Sequence, residues 1–278
     1  MLLLHLRNEL WKLFGKKRTY IGFGAFLLAQ NVMLLLFRFT RVQKDMERLL
    51  TGNGYLAQQY ISALTVALFM IIPQVFLLMP LYAALVGGDL VAKEAEDGTL
   101  RMILSRPISR FRLLLVKWLA GLIFSILLVI VLGLTALCFA RVWFPWRGMF
   151  VSMPGIVFSV LSASEGLRLF IFSHLFMAVN ANVVLGIAFM FSSFNMKPAA
   201  ATILALSFLF INLVIDSIPV FERYHEWFLP YHLRAWLYVF AKPIPWDRAI
   251  QSLCILLAIN LTAFLAGAAA FQARDIKS

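Results

Sequence analysis

Residues 92–117 read AKEAEDGTLRMILSRPISRFRLLLVK, from Ala92 to Lys117, and form the longest charged segment of a mostly apolar chain. Six basic residues lie in it (Lys93, Arg101, Arg106, Arg110, Arg112 and Lys117) beside the acids Glu94, Glu96 and Asp97, with Asp89 just ahead. Uncharged runs flank it on both sides, Leu49 to Gly88 and Trp118 to Ala140. Each run is long enough to cross a hydrocarbon layer of about 30 Å. A polar hairpin this short between two such runs reads as a docking element rather than a domain.

The rest of the composition agrees. The 278-residue chain is 62% hydrophobic and 14% charged, with a mean hydropathy of +0.88, whereas soluble domains are about 25% charged. A soluble surface cannot be built from these residues, so the fold class is an all-α integral membrane protein with the lipid bilayer as its first partner. The net charge of +12 follows from basic residues gathered at span ends, where they meet anionic headgroups. No soluble basic surface is left for nucleic acid, and none is expected as a partner. Cys138 and Cys254 fall inside apolar runs and read as small buried hydrophobes, not as a disulfide or a metal pair.

Within an interface helix expected over residues 1–18, Leu2 to Lys16 carry helical periodicity, with Leu3, Leu6, Leu10, Leu13 and Phe14 on one stripe and His5, Asn8, Glu9, Lys12 and Lys16 opposite. Such a helix, closed by Lys16-Lys17-Arg18, lies along a membrane face, either against a partner or as a plain positive anchor. Six spans are expected, at 20–37, 61–87, 118–140, 169–193, 199–215 and 249–271. The first apolar run lacks a small-residue cleavage site and is expected to remain as a span. Pro73 and Pro80 should bend the second span, as a gate hinge or as an ordinary kink. The uncharged run from Met149 to Ala163, interrupted by Pro154-Gly155, is too broken to span and is placed at the interface. A link at 216–248 carries Trp227, Pro230, Trp236, Pro243, Pro245 and Trp246. Six spans put both termini on one side. Dense basic clusters at Lys12–Arg18 and Arg101–Lys117 place that side in the cytoplasm.

Within the hairpin, Asp89–Asp97 continues the second span as helix. Gly98 suits the left-handed residue past its end. Thr99 is placed to cap a short helix, Leu100–Leu104, which Pro107 ends by forcing Arg106 towards extended geometry. Ser109 caps the approach to span three, whose Arg110, Arg112 and Lys117 suit the headgroup layer. Glu94, Glu96 and Asp97 sit at a helix C-terminus, where negative charge opposes the macrodipole by roughly 0.3–1 kcal/mol per group. They either pair with Arg101 and Arg106, meet a basic partner surface, or form a solvated cluster.

The order Glu94-Ala95-Glu96-Asp97-Gly98-Thr99-Leu100, then Leu104-Ser105-Arg106-Pro107-Ile108-Ser109-Arg110, then Lys117, closely resembles the cytoplasmic loop of ATP-binding-cassette exporter permeases. The class is the type-two group of drug, lipid and multicopper-maturation permeases. Weaker likenesses run through Leu6–Lys12, Gly186–Phe194, Leu229–Trp236 and the tail FQARDI at Phe271–Ile276. The resemblance implies a single transmembrane permease domain over 1–278 in a bacterial cytoplasmic (inner) membrane, working as a homo- or heterodimer around a central pathway. It implies a coupling loop at 89–112, in which Glu94, Glu96, Gly98, Thr99, Leu100, Arg101, Leu104, Pro107 and Arg110 engage a separate ATP-binding-cassette ATPase. It also implies that residues 216–248 form short re-entrant helices at the exit.

The chain has no Gly-rich loop followed by Lys-Ser or Lys-Thr, so ATP and Mg are expected on the partner and no cofactor on this chain. No nucleophile elbow surrounds any serine, and His5, His174, His225 and His232 have no metal-ligand spacing. Catalytic residues are therefore not expected. Two rivals stand beside the permease. An intramembrane hydrolase would use Glu222, Glu226 and Asp247. An ion-coupled secondary transporter would bury ionisable residues in mid-membrane, where Asp216 is the nearest acid. Asn180, Asn182, Asn212 and Asp216 either line a pathway or bond between helices.

Overall fold

The structure, a computed structural model, describes residues 2–105 and 108–274. Six helices are long and apolar enough to cross a membrane: Lys17–Phe39, Ala63–Glu96, Arg110–Trp143, Ala163–Ser193, Pro198–Asp216 and Trp246–Ala273. They are called spans one to six below. The all-α membrane architecture follows directly from the run lengths. Spans two and three have 34 residues each, about 50 Å at 1.5 Å per residue against a core of about 30 Å. Their surplus turns project together on the face that carries the termini. Lys12 Nζ bonds Glu94 Oε1 there, and Arg110 Nη1 reaches the carbonyl oxygens of Gln272 and Arg274.

The N-terminal helix Leu2–Gly15 packs Leu6, Leu10, Leu13 and Phe14 inward, while Leu3 and Trp11 face outward. Glu9, assigned by periodicity to the polar stripe, is instead buried, because a cation from span three meets it. Cys138 and Cys254 also depart from expectation: both are exposed on outward helix faces rather than buried.

Span two has a defect at its prolines. Pro73 has no N–H to give, and the helix passes into a π segment, Gln74–Leu78, before α geometry resumes at Met79 with Pro80 in the first turn. A π turn absorbs the missing donor without ending the helix. Span four is the most buried of the six, and spans one and five the least. Small residues let its neighbours approach closely. A Cβ on Gly87 of span two would lie 2.4 Å from the Leu185 carbonyl oxygen, and one on Gly186 would lie 2.2 Å from Asn260 Oδ1 of span six.

The run placed at the interface is a two-stranded antiparallel hairpin, β1 (Met149–Met153) and β2 (Val157–Leu161), with Val151 opposite Ser159. Pro154-Gly155 makes its turn, with Gly155 at φ +74° and Ile156 N–H donating to the Met153 carbonyl, as a Pro-Gly pair permits. Phe150 N–H donates to Thr65 Oγ1 at 2.8 Å and holds the hairpin to span two. The link between spans five and six folds into a 3-10 helix, Pro219–Trp227, and two short helices, Leu229–Leu233 and Ala235–Tyr238.

Candidate functional site

Two sites emerge, one on the face of the termini and one in the opposite half. On the first, Gly98 stands at φ +73° between the end of span two and the short helix Thr99–Leu104. Only glycine adopts this conformation at little cost. Thr99 is the first residue of that helix rather than its cap: Gly98 occupies the cap position, and Thr99 Oγ1 donates back to the Glu94 carbonyl at 3.3 Å. Ser109 does cap span three, accepting from Arg112 N–H. Pro107 and Arg106 lie outside the described residues, and Leu104 is placed as the last residue of the short helix.

Behind the short helix is a closed ionic ring. Lys117 Nζ lies 2.8 Å from Glu9 Oε2 and 2.7 Å from Glu94 Oε2. Lys12 Nζ lies 2.8 Å from Glu9 Oε1 and 3.0 Å from Glu94 Oε1. The Lys117–Glu94 approach is ionic without hydrogen-bond alignment. Two cations alternate with two carboxylates, so the ring carries no net charge. That balance permits Lys117 to be 1% exposed, since a buried charge persists only when paired. Lys117 is thus not the headgroup residue that its place at the start of span three had suggested. Burial alone would raise the Glu9 pKa; Lys117 and then Lys12 overturn this and hold the carboxyl below its ordinary value. Burial would likewise lower the Lys12 pKa, and Glu9 with Glu94 raises it instead.

Among the described residues the other hairpin acids pair with cations other than Arg101. Lys93 takes both Glu96 and Asp97, at 2.8 and 3.1 Å, while Asp89 pairs with Arg18 at 3.1 Å. Arg101 and Met102 are exposed on the short helix, Leu100 points into the core, and Arg110 holds the C-terminal segment. The ring therefore ties the N-terminal helix, span two and span three together beside a helix with an exposed outer face.

The second site is a cavity of about 350 Å³ between the π segment, spans four and five, and the helix Leu229–Leu233. Pro80, Asn180 and Asp216 line it together. Asn182 is not among its lining residues, because it lies two positions from Asn180 and so on another side of the helix. Asn212 donates to the Phe208 carbonyl of its own helix and does not line it. Asn180 Nδ2 donates to the Leu233 carbonyl at 2.7 Å. This satisfies the irregular backbone of the link where it packs against a span. Asp216 is buried and pairs with Arg234 and, at 2.6 Å, with His225 Nδ1.

Sequence reading had not joined Arg234 and His225 to Asp216, since nothing in their spacing shows that the link folds back. His232 of the same link is also buried, with Nδ1 3.0 Å from Ser252 Oγ and Nε2 2.9 Å from the Glu226 carbonyl, and burial lowers its pKa. Among the described residues no group of three His, Cys, Asp or Glu could hold a metal ion.

A family model described as ABC-2 family transporter protein matches residues 8–225. That range includes the ionic ring, the short helix and the spans that line the cavity. Among curated proteins, none matches the chain.

Proposed function

The chain belongs to the ABC-2 family of transporter proteins as a multi-pass membrane permease of an ATP-binding-cassette transporter, and from that premise we propose that it forms a dimeric exporter driven by separate ATPase subunits. The ATPase docks on the helix Thr99–Leu104 and the hairpin around it. ATP and Mg belong to that partner, and this chain hydrolyses nothing. The membrane is a bacterial inner membrane, with both termini and the ionic ring on the cytoplasmic side.

The observation that carries this reading is the ring of Glu9, Lys12, Glu94 and Lys117. A push on the short helix meets three elements bound as one body, so it passes into spans two and three instead of bending the hairpin. Span two leads the displacement to the π segment and Pro80, at the wall of the cavity. Glu94 belongs to this transmission, whereas Arg101, Glu96 and Asp97 face the partner. An ion-coupled carrier would need an acid able to load an ion, and Asp216 is already engaged by Arg234 and His225.

Co-purification with the ATPase tests the docking. Arg101→Glu should abolish association while the permease still inserts and melts normally. Normal association and normal stimulation of ATP hydrolysis by this variant would refute the assignment.

A further inference from the structure

The cavity in the half opposite the termini has a chemistry that selects its occupant. Its volume of about 350 Å³ falls near the lower end for small-molecule sites. Phe76, Leu77, Leu81, Phe210 and Leu213 line its side, each about half exposed on the outer surface of the helix bundle. Asn180, 2% exposed, lies deep in the wall with Oδ1 unpartnered. Its amide orientation is set by Nδ2, which donates to the Leu233 carbonyl; the flipped amide would place oxygen against oxygen. A buried acceptor left unpaired in this way is costly. A ligand hydroxyl would satisfy it.

Arg234 donates through Nε to the Pro230 carbonyl and pairs through Nη2 with Asp216. Among the described residues its Nη1 has no hydrogen-bond partner, which leaves a donor at the same cavity. Asp216 and Arg234 neutralise each other, so a head with net charge would lack a counter-ion in apolar surroundings.

We propose that this cavity binds an uncharged amphipath that enters sideways from the bilayer, its hydroxyl donating to Asn180 Oδ1 and an oxygen accepting from Arg234, with its apolar body along Phe76, Leu81 and Phe210. This deepens the permease reading, and rests on it, by naming the class of molecule carried.

The test uses the full chain in lipid nanodiscs without ATPase. It is labelled by a long-chain monoacylglycerol with a photoreactive chain end, and in parallel by the methyl ester of the same acyl chain, which accepts but does not donate. Peptides holding Phe76–Leu81 and Phe210–Leu213 should be labelled on the order of tenfold more by the monoacylglycerol. Asn180→Leu should reduce that labelling to the level of the ester. Leu213→Trp, at the half-exposed mouth, should block both probes, and this variant keeps the test open if Asn180→Leu does not fold. Equal labelling by the two probes, or undiminished labelling in Leu213→Trp, would overturn the proposal. Because no ATPase is present, failure here leaves the docking reading standing, and loss of docking leaves this site standing.

Discussion

Lys117 Nζ lies 2.8 Å from Glu9 Oε2 across 108 positions of sequence, and the lysine is 1% exposed. The pair joins the N-terminal helix to span three, and Glu94 joins both to span two. Removing one partner from such a pair leaves an uncompensated charge and costs about 3–5 kcal/mol.

Lys117→Met should accordingly lower stability by about 3 kcal/mol, read as a fall in the thermal midpoint of the purified protein. Glu9→Gln combined with Lys117→Met should recover part of the loss, with a coupling of about 1–3 kcal/mol. Strict additivity of the two substitutions would mean that the contact carries no energy.

Acid should weaken the same contact. The folded protein holds Glu9 below its ordinary pKa of 4.5, so the unfolded chain binds the proton more readily. The stabilisation is complete above 4.5 and is lost as pH falls through the folded value. Melting midpoints followed downward from pH 7 should drop in that acid window, and Glu9→Gln should flatten the drop.

His232 gives a second pH window. Burial lowers its pKa from 6.5, so the folded state favours the neutral ring. Its contribution is complete above pH 6.5 and is lost as pH falls through the lower folded value. His232→Gln should remove this part of the profile, which lies below pH 6.5, and leave the Glu9 window unchanged.

Helix packing gives a contrast between glycines. Gly87→Ala would set a Cβ 2.4 Å from the Leu185 carbonyl oxygen, a backbone atom that cannot swing aside, and should destabilise by about 1–3 kcal/mol. Gly24→Ala meets nothing within 4 Å and should be neutral or stabilising by up to about 1 kcal/mol. Equal midpoints for the two variants would contradict the close packing of spans two and four.

Much was legible before the fold was known. Run length between charges marks each span, because a helix must satisfy its own backbone across the hydrocarbon. Gly98 marks the end of span two and Ser109 the start of span three, because these positions depend on local backbone and capping chemistry. Periodicity misplaced Glu9, since it assigns polar residues to an outward stripe and cannot register a cation arriving from another helix, and span-end position misplaced Lys117, since it cannot register a carboxylate arriving from another helix. The hairpin at Met149–Leu161 carried its Pro-Gly signal, but an uncharged run in a membrane chain gives no sign of whether its backbone will pair with itself.

The chain order alone determined six spans, both termini on one face and a charged hairpin between spans two and three, because hydrophobic length and local backbone rules act within a few turns. Tertiary structure alone decided which charges neutralise one another and which polar groups share a cavity. Lys117 meets Glu9, and Asn180 meets the Leu233 carbonyl near Asp216 and Arg234, only because helices distant in sequence pack side by side. The pairing of buried charge and polarity is a property of that packing, and no spacing along the chain encodes it.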